Sequence, residues 1–148
     1  MSPEPSSPPN GAAAACSATS VVLVVDDDHS VRRVIRQLLE RGGLGVEEAA
    51  SGREALEVLR RGITVCAVVT DLTMAEGSGG WLLAQLGYEF PALLPRVLVV
   101  TANAEGAAAA HVAARWRCPV LAKPFTGREL VVAVTRLQPG TSDSADVA

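Results

Sequence analysis

Apolar residues in this chain come in two kinds of run. The first is continuous and β-branched, as in "VVLVV" at Val21–Val25. Five such residues without polar alternation suit a strand covered on both faces. The second kind is periodic. Val31, Val34, Ile35, Leu38 and Leu39 recur at helical spacing, so one stripe of a helix faces a core. Gly42 and Gly43 end that helix. The two kinds then alternate. Gly45–Ala49 is a weaker strand, and Ser51-Gly52-Arg53-Glu54 is a capping box that opens a helix running to about Arg61. Residues 64–70, "TVCAVVT", form a buried strand that ends at Asp71. A short helix is predicted over 81–86 and a fourth strand, "RVLVVT", over 96–101. An alanine-rich helix covers 104–116, its start weakened at Gly106 by about 1 kcal/mol relative to alanine. A short strand at 119–122 precedes a second capping box, Thr126-Gly127-Arg128-Glu129. Leu130, Val134 and Leu137 follow it on one helix face.

Strand and helix alternating in this way specify an α/β fold: a parallel sheet with helices on both sides and right-handed crossovers. Five strands fit a single doubly wound, flavodoxin-like (βα)5 sheet of order 2-1-3-4-5. The folded unit is expected over residues 20–138. Residues 1–19 are rich in Pro, Ser and Ala, and 139–148 are similar, so both flanks are expected to be disordered. Neither flank is expected to hold a DNA-binding or catalytic output domain, so the unit is expected to act alone, through protein contacts or phosphorelay.

Composition narrows the picture. The chain has 148 residues, 49 % hydrophobic and 20 % charged, which suits one soluble domain. Aromatics are only 3 %, so the core must be built from Val, Leu, Ile and Ala. A net charge of -3 argues against a protein that chiefly neutralises nucleic-acid phosphates. Cys16, Cys66 and Cys118 are scattered, without a C-x-x-C pair, and are expected to be free thiols in a reducing compartment. No apolar stretch reaches the roughly 18 residues that span a bilayer. "GAAAAC" at 11–16 looks faintly like a lipoprotein cleavage site, but no charged or apolar leader region precedes it. A cytoplasmic protein without membrane or nucleic-acid partners is the expectation.

The chemistry lies where strands end. Strand 1 runs into Asp26, Asp27 and Asp28; strand 3 ends in Asp71, strand 4 in Thr101, and strand 5 leads to Lys123. In a sheet of this order those strands are neighbours, and the functional crevice lies at their carboxyl ends. Two carboxylates about 4 Å apart at an effective dielectric near 20 repel by on the order of 4 kcal/mol. One lysine does not balance three of them. Mg²⁺, a hard cation that takes a few carboxylates, carbonyls and waters, would. Such an ion beside a carboxylate and an ammonium makes a phosphoryl-binding site, with the carboxylate as nucleophile. Asp28 also suits a plain helix cap, and Asp71 or Thr101 alone could be structural. The joint placement on four strand ends is what points to chemistry.

These pieces together resemble the receiver domain of bacterial two-component response regulators, the CheY-like fold. They are "VVDDD" at 24–28, "VVTDLTM" at 68–74 with Gly79 following, "VVTA" at 99–102 and "KPF" at 123–125. The resemblance covers nearly all of residues 21–137. It implies that Asp71 accepts a phosphoryl group from a histidine kinase or phosphotransfer protein. It implies Mg²⁺ held by Asp26, Asp27, Asp71 and the backbone carbonyl of Thr73, with Asp26 acting mainly through a bound water. Thr101 would turn its hydroxyl toward the phosphoryl oxygens and Lys123 would pair with them. The Lys123–Pro124 bond would be cis. Movement of Thr101 and Lys123 would be read by a downstream protein at the fourth helix, fifth strand and fifth helix. Two positions depart from the pattern: Ala75 stands where a proline is usual, and Val120 where an aromatic residue often swings inward.

Other signals are weaker. The G-x-G-x-x-G spacing fails at Leu82 and the G-x-S-x-G elbow at Glu76. His29 and His111 are isolated. Arg32, Arg33, Arg36 and Arg41 give the first helix a partly basic face, either solvated or a docking surface for a kinase. Two competing functions follow from the same residues. One is a receiver-fold binding module that works without phosphorylation, supported by Ala75 and Val120. The other is a Mg²⁺-dependent phosphohydrolase, disfavoured because Thr73 stands where a common class of such enzymes has a second aspartate.

Overall fold

The computed structural model describes residues 20–74 and 78–137. Expectations for residues 1–19 and 139–148, including Cys16, and for Ala75 lie outside the described residues.

The chain forms β1 (Val21–Val25), α1 (His29–Arg41), β2 (Gly45–Ala49), α2 (Gly52–Arg60) and β3 (Val65–Asp71). It continues as α3 (Gly79–Glu89), a 3-10 helix (Pro91–Arg96), β4 (Val97–Thr101), α4 (Ala107–Trp116), β5 (Val120–Ala122) and α5 (Gly127–Thr135). The strands make one sheet of order β2-β1-β3-β4-β5, all pairs parallel, which is the predicted topology. The alternating pleat of β1 explains why both faces are covered. Leu23 and Val25 point into a core with α2, α3 and α4, through Leu56, Leu83 and Val112. Val22 and Val24 point the other way, against Ile35 and Leu39 of α1 and Leu130 and Val134 of α5. The largest fully buried side chains are aliphatic, as the shortage of aromatics requires.

The helix ends follow their caps. Asp28 caps α1, accepting from the N–H groups of Ser30 and Val31, the plain structural role open to it. Thr126 and Glu129 form the full reciprocal capping box of α5. At α2 the box is incomplete: Ser51 accepts from Glu54 N–H, but the Glu54 carboxylate accepts from Ala50 N–H.

Several boundaries differ from expectation. Helix α3 is longer at both ends, because Ser78 caps it by accepting from Trp81 N–H and it continues to Glu89, which pairs with Arg60 of α2. Residues 91–96 form a 3-10 helix, which Pro91 suits because the first turn needs no N–H there. Helix α4 begins at Ala107, not 104, and Gly106 caps it without a side-chain hydrogen bond. Pro119 precedes β5 yet still serves the ladder, since its carbonyl accepts from Val99 N–H at 3.0 Å. Cys118 is a free buried thiol as expected, whereas Cys66, expected to be free, is disulfide-bonded. Cys66 sits at the amino end of the sheet, its sulfur 3.4 Å from the Val21 carbonyl oxygen, far along β3 from Asp71. Among the described residues no helix is long and apolar enough to cross a membrane.

Candidate functional site

Adjacent strands β1, β3, β4 and β5 deliver Asp26–Asp27, Asp71, Thr101 and Lys123 to one sheet edge. Carboxylate oxygens of Asp26, Asp27 and Asp71 all lie within 4.8 Å of one another. Asp26 is 1 % exposed, whereas Asp27 faces solvent. Lys123 reaches across from the turn after β5: its Nζ lies 3.2 Å from Asp26 Oδ2 and 3.9 Å from Asp71 Oδ2. Its N–H donates to the Thr101 carbonyl at 2.9 Å, continuing the β4–β5 ladder and holding it at that edge. The Lys123–Pro124 bond is cis, as the resemblance implied.

Asp71 is poised between opposing influences. Burial pushes its carboxyl above the ordinary aspartate range; the Lys123 ammonium pulls it down, the Asp26 carboxylate pushes it up, and the N–H groups of Leu72 and Thr73 pull it down. The net direction is upward. Oδ1 accepts from Leu72 N–H at 2.7 Å, which fixes the carboxylate plane. Thr73 stands two residues on, exposed at the rim. Thr101 is buried, and its hydroxyl oxygen accepts from Asn103 N–H at 3.2 Å, so its proton remains available to another acceptor. Val120 packs against the core shared by α2, α3 and α4.

Gly79 lets α3 approach the site. A Cβ there would fall 2.6 Å from the Asp71 carbonyl oxygen and 3.0 Å from Leu72 Cα. Both are backbone atoms, so a side chain would force helix and strand apart.

Two residues at the site escape the sequence argument. Arg32 is not merely solvated: Nη1 donates to the Asp26 carbonyl at 2.8 Å and Nε to Glu48 at 2.7 Å. Glu48 of β2 also pairs with Arg36 at 2.8 Å. Arg36 in addition bonds Glu40, so half of the basic face of α1 is engaged within the fold. Of the histidines, His29 lies with Nδ1 3.1 Å from Arg32 Nη2, and His111 lies on α4, lining a cleft with Leu72 and Thr73. Arg53 stacks over Trp81 at 5.7 Å, and Trp116 packs against the core, consistent with structural roles for both rings.

The acidic group suits a small hard cation. Oxygens on opposite sides of an octahedral Mg²⁺ stand about 4 Å apart, twice a 2.0–2.1 Å bond. Three oxygens on one such ion include neighbours about 2.9 Å apart, so the carboxylates, whose oxygens lie within 4.8 Å of one another, would draw in by up to about 2 Å to share it. All the donors are oxygens, the set that Mg²⁺ prefers over softer metals.

A five-stranded (βα)5 unit with an acidic cluster, a hydroxyl and a lysine at its carboxyl edge defines a phosphoryl-receiving class of signalling domain. Residues 22–135 match the family described as response regulator receiver domain. The chain belongs to that family. It is 36 % identical over 100 residues to the sensor kinase CckA of Brucella abortus (strain 2308), covering 67 % of this chain. The chain spans 10 % of that relative's length. Among solved structures it resembles a response regulator receiver domain protein from Clostridium thermocellum, with TM-score 0.70 and 26 % identity, covering 82 % of this chain and 96 % of that one. It also resembles the chemotaxis protein CheY4 of Vibrio cholerae, with TM-score 0.67 and 26 % identity, covering 81 % and 99 %. A CheY-like receiver protein from Methanospirillum hungatei JF-1 shares the fold at TM-score 0.74 and 20 % identity, covering 86 % and 99 %. Membership places the chain in two-component signalling, among domains that typically bind Mg²⁺ at an acidic pocket and work with histidine kinases or phosphotransfer partners.

Proposed function

We propose that this receiver takes a phosphoryl group onto Asp71 from the phosphohistidine of a kinase or phosphotransfer protein. The observation that carries the proposal is the convergence of three carboxylates within 4.8 Å with Lys123 Nζ 3.2 and 3.9 Å from two of them. A carboxylate oxygen of Asp71 attacks phosphorus. The new O–P bond forms as the P–N bond to the imidazole breaks, and its electron pair returns to the ring nitrogen. Lys123 already points at the Asp71 carboxylate, so it is placed to pair with the phosphoryl oxygens as they arrive. Thr101 can turn its hydroxyl proton, which the Asn103 bond leaves available, to the same oxygens.

Asp26, Asp27, Asp71 and the Thr73 carbonyl are the residues that would hold Mg²⁺. When bound, the ion supplies positive charge that offsets the phosphoryl oxygens during transfer. Output then follows from movement at the edge of β4 and β5, read by a partner protein. With Val120 in place of an aromatic ring, Thr101 and Lys123 carry that movement.

The test is direct. The protein is incubated with acetyl phosphate or a phosphoramidate and Mg²⁺, and its intact mass is recorded beside an Asp71→Asn control. Addition of one phosphoryl group to the wild type alone is expected. A folded wild type that gains none refutes phosphorylation and favours a module that binds without it. Sustained phosphate release from varied esters would instead mark a phosphohydrolase.

A further inference from the structure

Every polar group of Asp26 has a partner. Its N–H donates to the Ala49 carbonyl at 3.2 Å, and its Oδ1 accepts from Asp28 N–H at 2.9 Å. Its Oδ2 faces Lys123, and its carbonyl oxygen accepts from Arg32 Nη1 at 2.8 Å. That carbonyl belongs to the peptide unit joining Asp26 to Asp27. Because the unit is planar, the direction of its oxygen fixes the direction in which Asp27 leaves β1.

Arg32 is itself held. Nε donates to Glu48 Oε1 at 2.7 Å, Nη2 lies 3.1 Å from His29 Nδ1, and the side chain is only 14 % exposed. Glu48 is a ladder residue, opposite Val24 in the β1–β2 pairing, and its second oxygen is held by Arg36. The contacts therefore run from the sheet through Glu48 and Arg32 to the Asp26–Asp27 peptide.

We propose that Arg32, anchored on Glu48, is a positioning residue that fixes the Asp26–Asp27 peptide and thereby sets the divalent-cation affinity of the acidic cluster. The inference rests on the reading of that cluster as a cation site. It requires arginine's planar fork, which meets Glu48 and the Asp26 carbonyl at once. Lysine carries its donors on a single nitrogen and lacks the fork whose Nε and Nη1 make the two bonds. Groups that orient metal ligands without touching the metal are worth about 10- to 100-fold in affinity, and Arg32 is expected to act on that scale.

The test titrates the full chain and its Arg32→Lys, Arg32→Gln and Glu48→Gln variants with Mn²⁺, following the free ion by electron paramagnetic resonance. Melting in EDTA is recorded alongside, together with the amide resonance of Asp27 in the metal-free proteins. Both Arg32 variants are expected to bind Mn²⁺ at least about tenfold more weakly and to shift the Asp27 amide. Glu48→Gln, which keeps Arg32 but loosens its anchor, is expected to weaken binding less. If Arg32→Gln does not fold, the other two variants decide. Lower melting with unchanged Mn²⁺ affinity would show a purely structural role and overturn the inference alone. A wild type that binds no Mn²⁺ would overturn the cation site itself, and this inference with it.

Discussion

Removing the charge of Asp71 should make the metal-free protein more stable, although Asp71 is the residue on which the proposed chemistry depends. Carboxylate oxygens within 4.8 Å of one another repel by about 3.5 kcal/mol per pair or more at an effective dielectric near 20. Asp71 takes part in two such pairs. Its attraction to Lys123 at 3.9 Å returns about 4 kcal/mol on the same scale. Asp71→Asn therefore relieves roughly 3 kcal/mol, and it also removes the cost of burying a charge. Solvent around exposed Asp27 screens part of this gain, and the new amide NH2 facing Lys123 offsets more. The Asn side-chain oxygen can still accept from Leu72 N–H. A net gain of about 1–3 kcal/mol at pH 7 is expected, on the order of 5–10 °C in melting temperature for a domain of this size. The sign of the pH dependence follows from the upward shift. An acid whose folded pKa is raised favours the fold in its protonated form. That contribution is full below the ordinary aspartate value, about 3.9, and is lost as pH rises through the raised one. The wild type and the variant should therefore melt together in acid and separate toward neutral pH. Mg²⁺ should close or reverse the gap, since an ion at about 100 times its Kd stabilises its binder by about 2.7 kcal/mol. Thermal melts in EDTA and in Mg²⁺, from pH 4 to 8, measure all of this. An Asn variant less stable than wild type in EDTA at pH 7, or one that gains as much from Mg²⁺, would refute the electrostatic argument.

Three further outcomes are expected. Gly79→Ala should lose about 1–3 kcal/mol in urea denaturation, because the Cβ would meet backbone atoms of Asp71 and Leu72 at 2.6 and 3.0 Å, and its phosphorylation should slow as the edge of β3 shifts. Glu48→Gln should cost about 1 kcal/mol at neutral pH. The Arg36 hydrogen bond, with help from Arg32, holds the Glu48 carboxyl below its ordinary range, so that contribution is full above the ordinary glutamate value and disappears as pH falls through the depressed one; chemical melts at pH 7 and pH 3 should show the gap closing. Cys118 should resist alkylation in the native protein and react fully in urea, since burial both shields the thiol and raises its pKa; rapid native labelling followed by mass spectrometry would contradict that placement.

The sheet was legible because its strands are apolar on both faces, a pattern that few other environments accept. Val22 and Val24 serve one core and Leu23 and Val25 the other, so "VVLVV" could not be a half-exposed strand. The acidic edge was legible for a related reason: topology alone brings strand ends together, so Asp26, Asp71, Thr101 and Lys123 could be placed without knowing a side-chain rotamer. What sequence hid are the elements that break local rules and the contacts that cross between elements. "PALLPR" has two prolines, which read as punctuation, yet it forms the 3-10 turn that leads into β4. Glycines at 79, 80 and 87 dilute the helical signal of α3, whose end is tied by Glu89 reaching Arg60, 29 residues away. Arg32 is the instructive case. In the sequence it is one of several arginines on an exposed-looking face, and its partner Glu48 lies 16 residues later on a strand of weak pattern. Only the β1–β2 register, which sets Glu48 beside Val24, makes that carboxylate available under α1. Predicting the register together with the order would have exposed it: an arginine one turn into the helix after β1 and a glutamate near the end of β2 must meet above the Asp26 carbonyl.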